Sequence, residues 1–368
     1  MKSGWWLAAA LLLSPMVLFA APPSQASGDV AALAPPTPPE DVLAIPASLR
    51  AALREQVVAR SAPGEPRMRR LAAFLLGPEG LALKYVPDAD LTVAQVWETR
   101  TANCLAFTLL TIALAREAGL DAYGQEIPRT LAWYSSGDTV YFSNHVNAGI
   151  RIGAQRYTLD VASDSVMSNV PPAKVDDRRL IAIYYSNRAA NLLAEGRLEA
   201  AALQIDAALR SDQRYPTAWS NAGVLRLRAG DDAGAERDFL HALELDRRHD
   251  GALMNLASLY GKRGDSARQA DYNRRIARIN ARNPFHAFML AIEAEKLGDY
   301  GAAAAHYRQA IKLYEGEHRF HFGLARAYLH LGESRKAGEA LRRAHDISSG
   351  TVRDRYQAKL DRLRELQR

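Results

Sequence analysis

Ala229-Gly230-Asp231, Arg263-Gly264-Asp265, Leu297-Gly298-Asp299 and Leu331-Gly332-Glu333 repeat one short phrase, with the glycines 34 residues apart. Gly196 stands one interval earlier. Five or six residues after each glycine comes an alanine (Ala201, Ala235, Ala270, Ala303, Ala337). Seven further on comes another (Ala208, Ala242, Ala277, Ala310, Ala344). A fixed period of this length is the mark of a solenoid, in which each unit buries its apolar face only against its neighbours. Here the glycine ends one helix, and the small alanines let the next pack closely against it. The expected architecture is therefore an all-α array of five helix pairs over residues 182–350.

Trp219 and Gly223 early in one unit, Tyr260 and Tyr328 mid-helix, and Phe239 and Tyr307 in second helices complete a pattern that closely resembles the tetratricopeptide repeat (TPR) family. Two features depart from it: the proline that closes each unit is mostly missing, and the third unit carries one extra residue. The polar amphipathic segment 351–368 then reads as a capping helix for the exposed end. The resemblance implies a concave groove that takes a protein or peptide partner. Arg228, Lys262, Lys296 and His330 occupy equivalent positions two before each glycine. They form either a basic ladder for carboxylates of a bound segment or an ordinary solvated row. Phe285, Phe288 and Phe322 either line the same groove or belong to the core. His318 and His321 lie three apart on a helix, but no third ligand is near, so no metal is expected there.

The domain before the repeats, residues 47–181, carries the other candidate chemistry. Helical spacing covers 47–60 and 66–76, and a short helix over 93–98 leads to Cys104, the only cysteine in the chain. From Cys104 to Ala118 nearly every residue is apolar or small, which describes a central buried helix. Asn103 is suited to cap its start and Gly119 its end. Cys104 thus sits in the first turn, where the helix dipole and free backbone N–H groups favour a thiolate and could hold an oxyanion. Strands follow over 139–152 and 156–161, joined at Gly153-Ala154. A two-residue loop there places Ile152 opposite Gln155 and Asn147 opposite Asp160, so His145 and Asp160 share a face within reach. A three-residue loop would separate them.

Asn103-Cys104, Leu114-Ala115-Arg116-Glu117-Ala118-Gly119-Leu120, His145-Val146 and Tyr157-Thr158-Leu159-Asp160 together resemble the transglutaminase-like superfamily of papain-type α+β folds. That resemblance implies a thiol acyl-transfer site with Cys104 as nucleophile, His145 as base and Asp160 orienting His145. Ala102 replaces the small glycine often found before the Asn-Cys pair, and the aromatic residue that often follows the cysteine is absent. Asp164 is a stand-in for Asp160, and Gln95 a candidate second oxyanion donor. Each residue also has a structural reading: a buried cysteine at a helix start, a satisfied strand histidine, an aspartate ending a strand. Two function classes follow, an exported cysteine hydrolase or acyltransferase (peptidase, amidase or transamidase) and a non-catalytic envelope scaffold.

The whole chain sets bounds on both. Its 368 residues, 48% apolar and 24% charged, are ordinary globular material. Lys2, the apolar run Trp5 to Ala21 and small residues at Ser24-Gln25-Ala26 read as an export signal over 1–26, with an uncleaved membrane anchor as the rival. No cysteine near this segment offers a site for lipid attachment. Residues 27–46, with Ala34-Pro35-Pro36-Thr37-Pro38-Pro39, read as a stiff linker. The net charge of +6 is spread too thinly, and without aromatic interleaving, for a nucleic-acid surface. No motif calls for a cofactor.

Overall fold

The computed structural model describes residues 35–366, apart from 78, 137, 138, 162–165 and 169. Residues 1–26 lie outside the described residues. Among the described residues no helix is long and apolar enough to cross a membrane.

The first region runs α1 (Pro39–Val42), α2 (Ala47–Leu53), a π-helical turn over Arg54–Val58, α3 (Glu65–Leu76), β1 (Lys84–Tyr85), α4 (Val93–Thr99), β2 (Thr101–Ala102), α5 (Cys104–Glu117), β3 (Asp121–Ser136), β4 (Thr139–Ile152), β5 (Gln155–Leu159), β6 (Val166–Met167) and β7 (Ala173–Val175). Asn103 accepts from the Ala106 N–H and so caps α5, and every residue from Leu105 to Ala115 is buried. This helix packs against an antiparallel sheet ordered β5-β4-β3-β6, with β7 also paired to β3. Thr108 stitches the two layers: its single hydroxyl proton is shared between the Cys104 carbonyl within the helix and the Val146 carbonyl on β4. Ile152 pairs with Gln155, the register of a two-residue loop. The segment read as a linker contributes α1, whose Val42 is fully buried in the same core.

The repeats follow as α6 (Asp177–Ala194), α7 (Leu198–Ser211), α8 (Pro216–Arg228), α9 (Asp232–Leu245), α10 (Asp250–Lys262), α11 (Ser266–Asn280), α12 (Pro284–Lys296), α13 (Tyr300–Leu313), α14 (His318–His330), α15 (Ser334–Asp346) and α16 (Gly350–Leu366). The C-terminal region is thus an all-helical solenoid. The glycines at 196, 230, 264, 298 and 332 all hold φ between +74° and +81°, a left-handed conformation that favours glycine at a helix end. Glycines inside helices act differently. A Cβ at Gly223 would stand 2.5 Å from the Phe239 ring, and one at Gly323 would stand 2.4 Å from Tyr307, so each aromatic ring lies directly on the neighbouring backbone.

Two joints in this array matter later. The first half of α6 (Leu180 to Tyr185) belongs to the core of the preceding domain, and Leu180 lies against Gly124 of β3. A boundary at 181/182 therefore falls inside one helix. Further on, α11 has no buried residue at all. Where its siblings offer Ala235 and Phe239, or Ala303 and Tyr307, the same spacing brings Gln269 and Asn273. Tyr272 compensates in part by stacking on Tyr260, with centroids 5.6 Å apart. The apolar core on either side is accordingly split into separate clusters, one ending at Ile279 and the next beginning at Phe285.

Candidate functional site

Cys104 is half-buried in the first turn of α5 and is a free thiol. Its neighbour from β4 is His145, which is 1% exposed. His145 Nε2 lies 2.6 Å from Asp160 Oδ2, which leaves Nδ1 as the ring atom available to the thiol. Asn147 Nδ2 donates to the same Asp160 oxygen at 3.2 Å and so fixes the carboxylate from a second side. Burial works against a charge on His145. The hydrogen bonds to Asp160 and to the Cys104 side chain, with the Coulomb attraction of both, outweigh it and raise the pKa to about 9.

That shift has a sign that can be tested. A histidine whose folded pKa lies above its ordinary value of 6.5 contributes stability that is fully present below 6.5 and is lost as pH rises through about 9. Replacing Asp160 with asparagine removes the charge that holds the imidazolium. The expected result is that the stability difference between wild type and Asp160→Asn, measured by urea unfolding, is largest near pH 6 and shrinks towards pH 9. A difference independent of pH over that window would rule out a charged His145.

Beside the thiol lies a cavity of about 190 Å³ lined by Tyr85, Pro87, Asn103, Val146 and residues of α6. Asp90 sits in its wall and is 7% exposed. It accepts from Asn103 Nδ2 at 2.9 Å, so the residue that caps the cysteine helix is itself held by a buried carboxylate. Burial raises the Asp90 pKa, against the lowering effect of the hydrogen bonds from Asn103 and Asn187. Neither Asp90 nor the asparagines on α6 stood out in the sequence; the only available hint was the four-residue spacing of Asn187 and Asn191.

The other candidates are placed as follows. Gln95 is engaged in the capping box of α4, where its side-chain oxygen accepts from Thr92 N, and it does not line the cavity. Asp164 lies outside the described residues. Arg228 donates to the Leu193 carbonyl, which takes it out of a free cationic row. Lys262 and Lys296 are exposed in the last turns of α10 and α12. His330 is stacked on Tyr300 at 4.0 Å. Phe285 and Phe288 are buried against Phe320, and Phe288 also against Tyr307, so both are core rather than groove surface. Phe322 is half-buried against Tyr356, with the cations of Arg326 and Lys359 over its ring. His318 pairs with the Tyr356 hydroxyl and His321 donates to the Glu315 carbonyl.

The family model for the tetratricopeptide repeat matches residues 187–250 and 288–350. These helix pairs are tetratricopeptide repeats. The unmatched interval between the two stretches contains α11, the helix without a buried residue. Solved structures similar to part of the chain include YrrB, described as a TPR protein with an unusual peptide-binding site, at 22% identity over 49% of this chain and 92% of that one, with a TM-score of 0.26. MamA is 17% identical over 45% of this chain and 91% of its own, with a TM-score of 0.25. The pilF protein of Pseudomonas aeruginosa is 14% identical over 50% and 93%, with a TM-score of 0.27. Overlaps this loose carry no argument of their own. No curated protein matches the chain. The assignment of the repeats therefore rests on the family match and on the helix pairs themselves.

Proposed function

We propose that this chain is a protein-binding module whose TPR array holds a protein or peptide partner. The matched repeats carry this reading. A specific observation favours a second activity on the same chain: His145 lies between the Cys104 thiol and Asp160, 2.6 Å from the latter. On that geometry the domain before the repeats is a transglutaminase-like α+β domain, and its site performs thiol acyl transfer on the bound partner. The buried helix opening with Cys104 and the antiparallel sheet bearing His145 support it. The apolar run before residue 27 supports an exported, envelope-associated protein.

In the acyl-transfer reading, the thiol proton resides on His145, and the Cys104 thiolate attacks the carbonyl carbon of an amide. The carbonyl π pair moves to the oxygen, which the backbone N–H groups of the first turn of α5 stabilise. As the C–N bond breaks, His145 returns its proton to the departing amine and leaves a thioester on Cys104. Water, deprotonated by His145, adds to the thioester carbonyl; the C–S bond then breaks, the acid leaves, and the proton stays on His145 facing the restored Cys104 thiolate. A second amine in place of water gives a new amide.

A single comparison separates the two activities. Wild type treated with p-nitrophenyl acetate should show an acetyl adduct on Cys104 by intact mass, and Cys104→Ala should not. A random peptide library should bind both proteins equally. Equal peptide binding with no adduct on wild type would leave a binding module without catalysis. Failure to bind peptides at all would remove the first reading.

A further inference from the structure

One wall of the Cys104 cavity belongs to the repeats. Ile183, Asn187, Ala190 and Asn191 of α6 line it together with Asn103, Cys104 and Val146. Asn187 and Asn191 are one helical turn apart and share a partner: Asn187 Nδ2 donates to Asp90 Oδ1 and Asn191 Nδ2 to Asp90 Oδ2, each at 3.1 Å. With Asn103 that makes three N–H donors on one carboxylate. A carboxylate offers only acceptors. Both amides must therefore turn their NH₂ groups towards Asp90, which leaves their carbonyl oxygens for whatever enters the cavity.

The spacing of the two residues points to a ligand. Four residues of α-helix advance about 6 Å. In an extended main chain, the N–H groups on one edge recur every second residue, about 6.6 Å apart. Two acceptor side chains set at this interval on α6 thus suit two alternate N–H groups of an extended polypeptide. The approach fits as well. Ile183 and Asn187 also line a much larger cleft of about 1100 Å³, bounded further on by Thr217, Gly251 and Asn283 at the starts of the next three first helices. Ile183 and Asn187 thus border both spaces, which carries a chain lying along the repeats to the wall of the thiol cavity.

We propose that Asn187 and Asn191, set by Asp90, are main-chain acceptors that hold an extended polypeptide across the Cys104 thiol. The substrate of the site is then an amide within a peptide segment recognised through its backbone N–H groups rather than through side-chain identity. This rests on the acyl-transfer reading for its chemistry but not for its binding.

The test uses the full chain and a tetra-alanine chloromethyl ketone, beside a twin in which alternate amides are replaced by esters. The ester deletes the N–H and keeps the shape. The amide reagent is expected to alkylate Cys104 at least tenfold faster than its twin, and Asn191→Leu should cut that advantage to about threefold or less. Equal rates for the twins on wild type would overturn the proposal. Should Cys104 prove unactivated, the unreactive N-acetyl tetra-alanine amide and its ester twin decide the matter in Cys104→Ala. Weaker binding of the ester twin by fluorescence competition upholds the acceptors, and equal binding overturns them.

Discussion

Replacing His145 with alanine is expected to slow alkylation of Cys104 by iodoacetamide at pH 6 by about 30-fold or more. The thiolate is the reacting species, and an ordinary thiol with a pKa of about 8.5 offers less than about 1% of it at that pH. In the variant no positive charge remains beside the sulfur. In the wild type, His145 is buried, hydrogen-bonded to Asp160 and held protonated up to about pH 9, so an imidazolium faces the thiol at pH 6. Stopped labelling followed by mass spectrometry gives the rate directly. Equal rates in the two proteins would mean that the pair is not coupled, and the domain before the repeats would then be a scaffold.

The second large effect concerns stability. Phe239→Ala should cost about 3–5 kcal/mol, the range for deleting a fully buried aromatic ring. Phe239 has no exposed surface, and its ring lies on the backbone of Gly223 in the neighbouring helix. Gly223 has no side chain of its own to move into the space. In an array whose units touch only their neighbours, the loss should stay local. Hydrogen exchange is expected to quicken in α8 to α10 and to change little in α5 or in α13 to α15. Uniform loss of protection across the chain would show a single cooperative unit instead.

Much of this was legible beforehand because the physics behind it is local. Glycine at a positive φ is the cheapest way to end a helix, so Gly196 to Gly332 announced the repeat without any knowledge of tertiary contacts. The two-residue loop at Gly153-Ala154 set the register of β4 and β5, and with it the approach of His145 to Asp160. Strand β3 is not legible in the sequence. It contains Pro128, which lacks an amide hydrogen and argues against a paired strand, and the ladder indeed shifts register between Ile127 and Thr130 around it. The aromatic residues of α12 were ambiguous for a different reason. Phe285 and Phe288 could face a groove or a neighbouring helix, and only the placement of Phe320 and Tyr307 decides. Asp90 was invisible because its three amide partners come from two segments, the cap of α5 and the middle of α6, which nothing in the linear text connects to it.

The poorly seated helix α11 has a consequence for how this chain is made. Its two flanking apolar cores share no residue, and everything around Cys104 lies on the upstream side. As the polypeptide emerges N-terminus first, the first block can close and shield its single thiol before Phe285 has followed. The later helices then add to a finished template, rather than competing for partners with an open one.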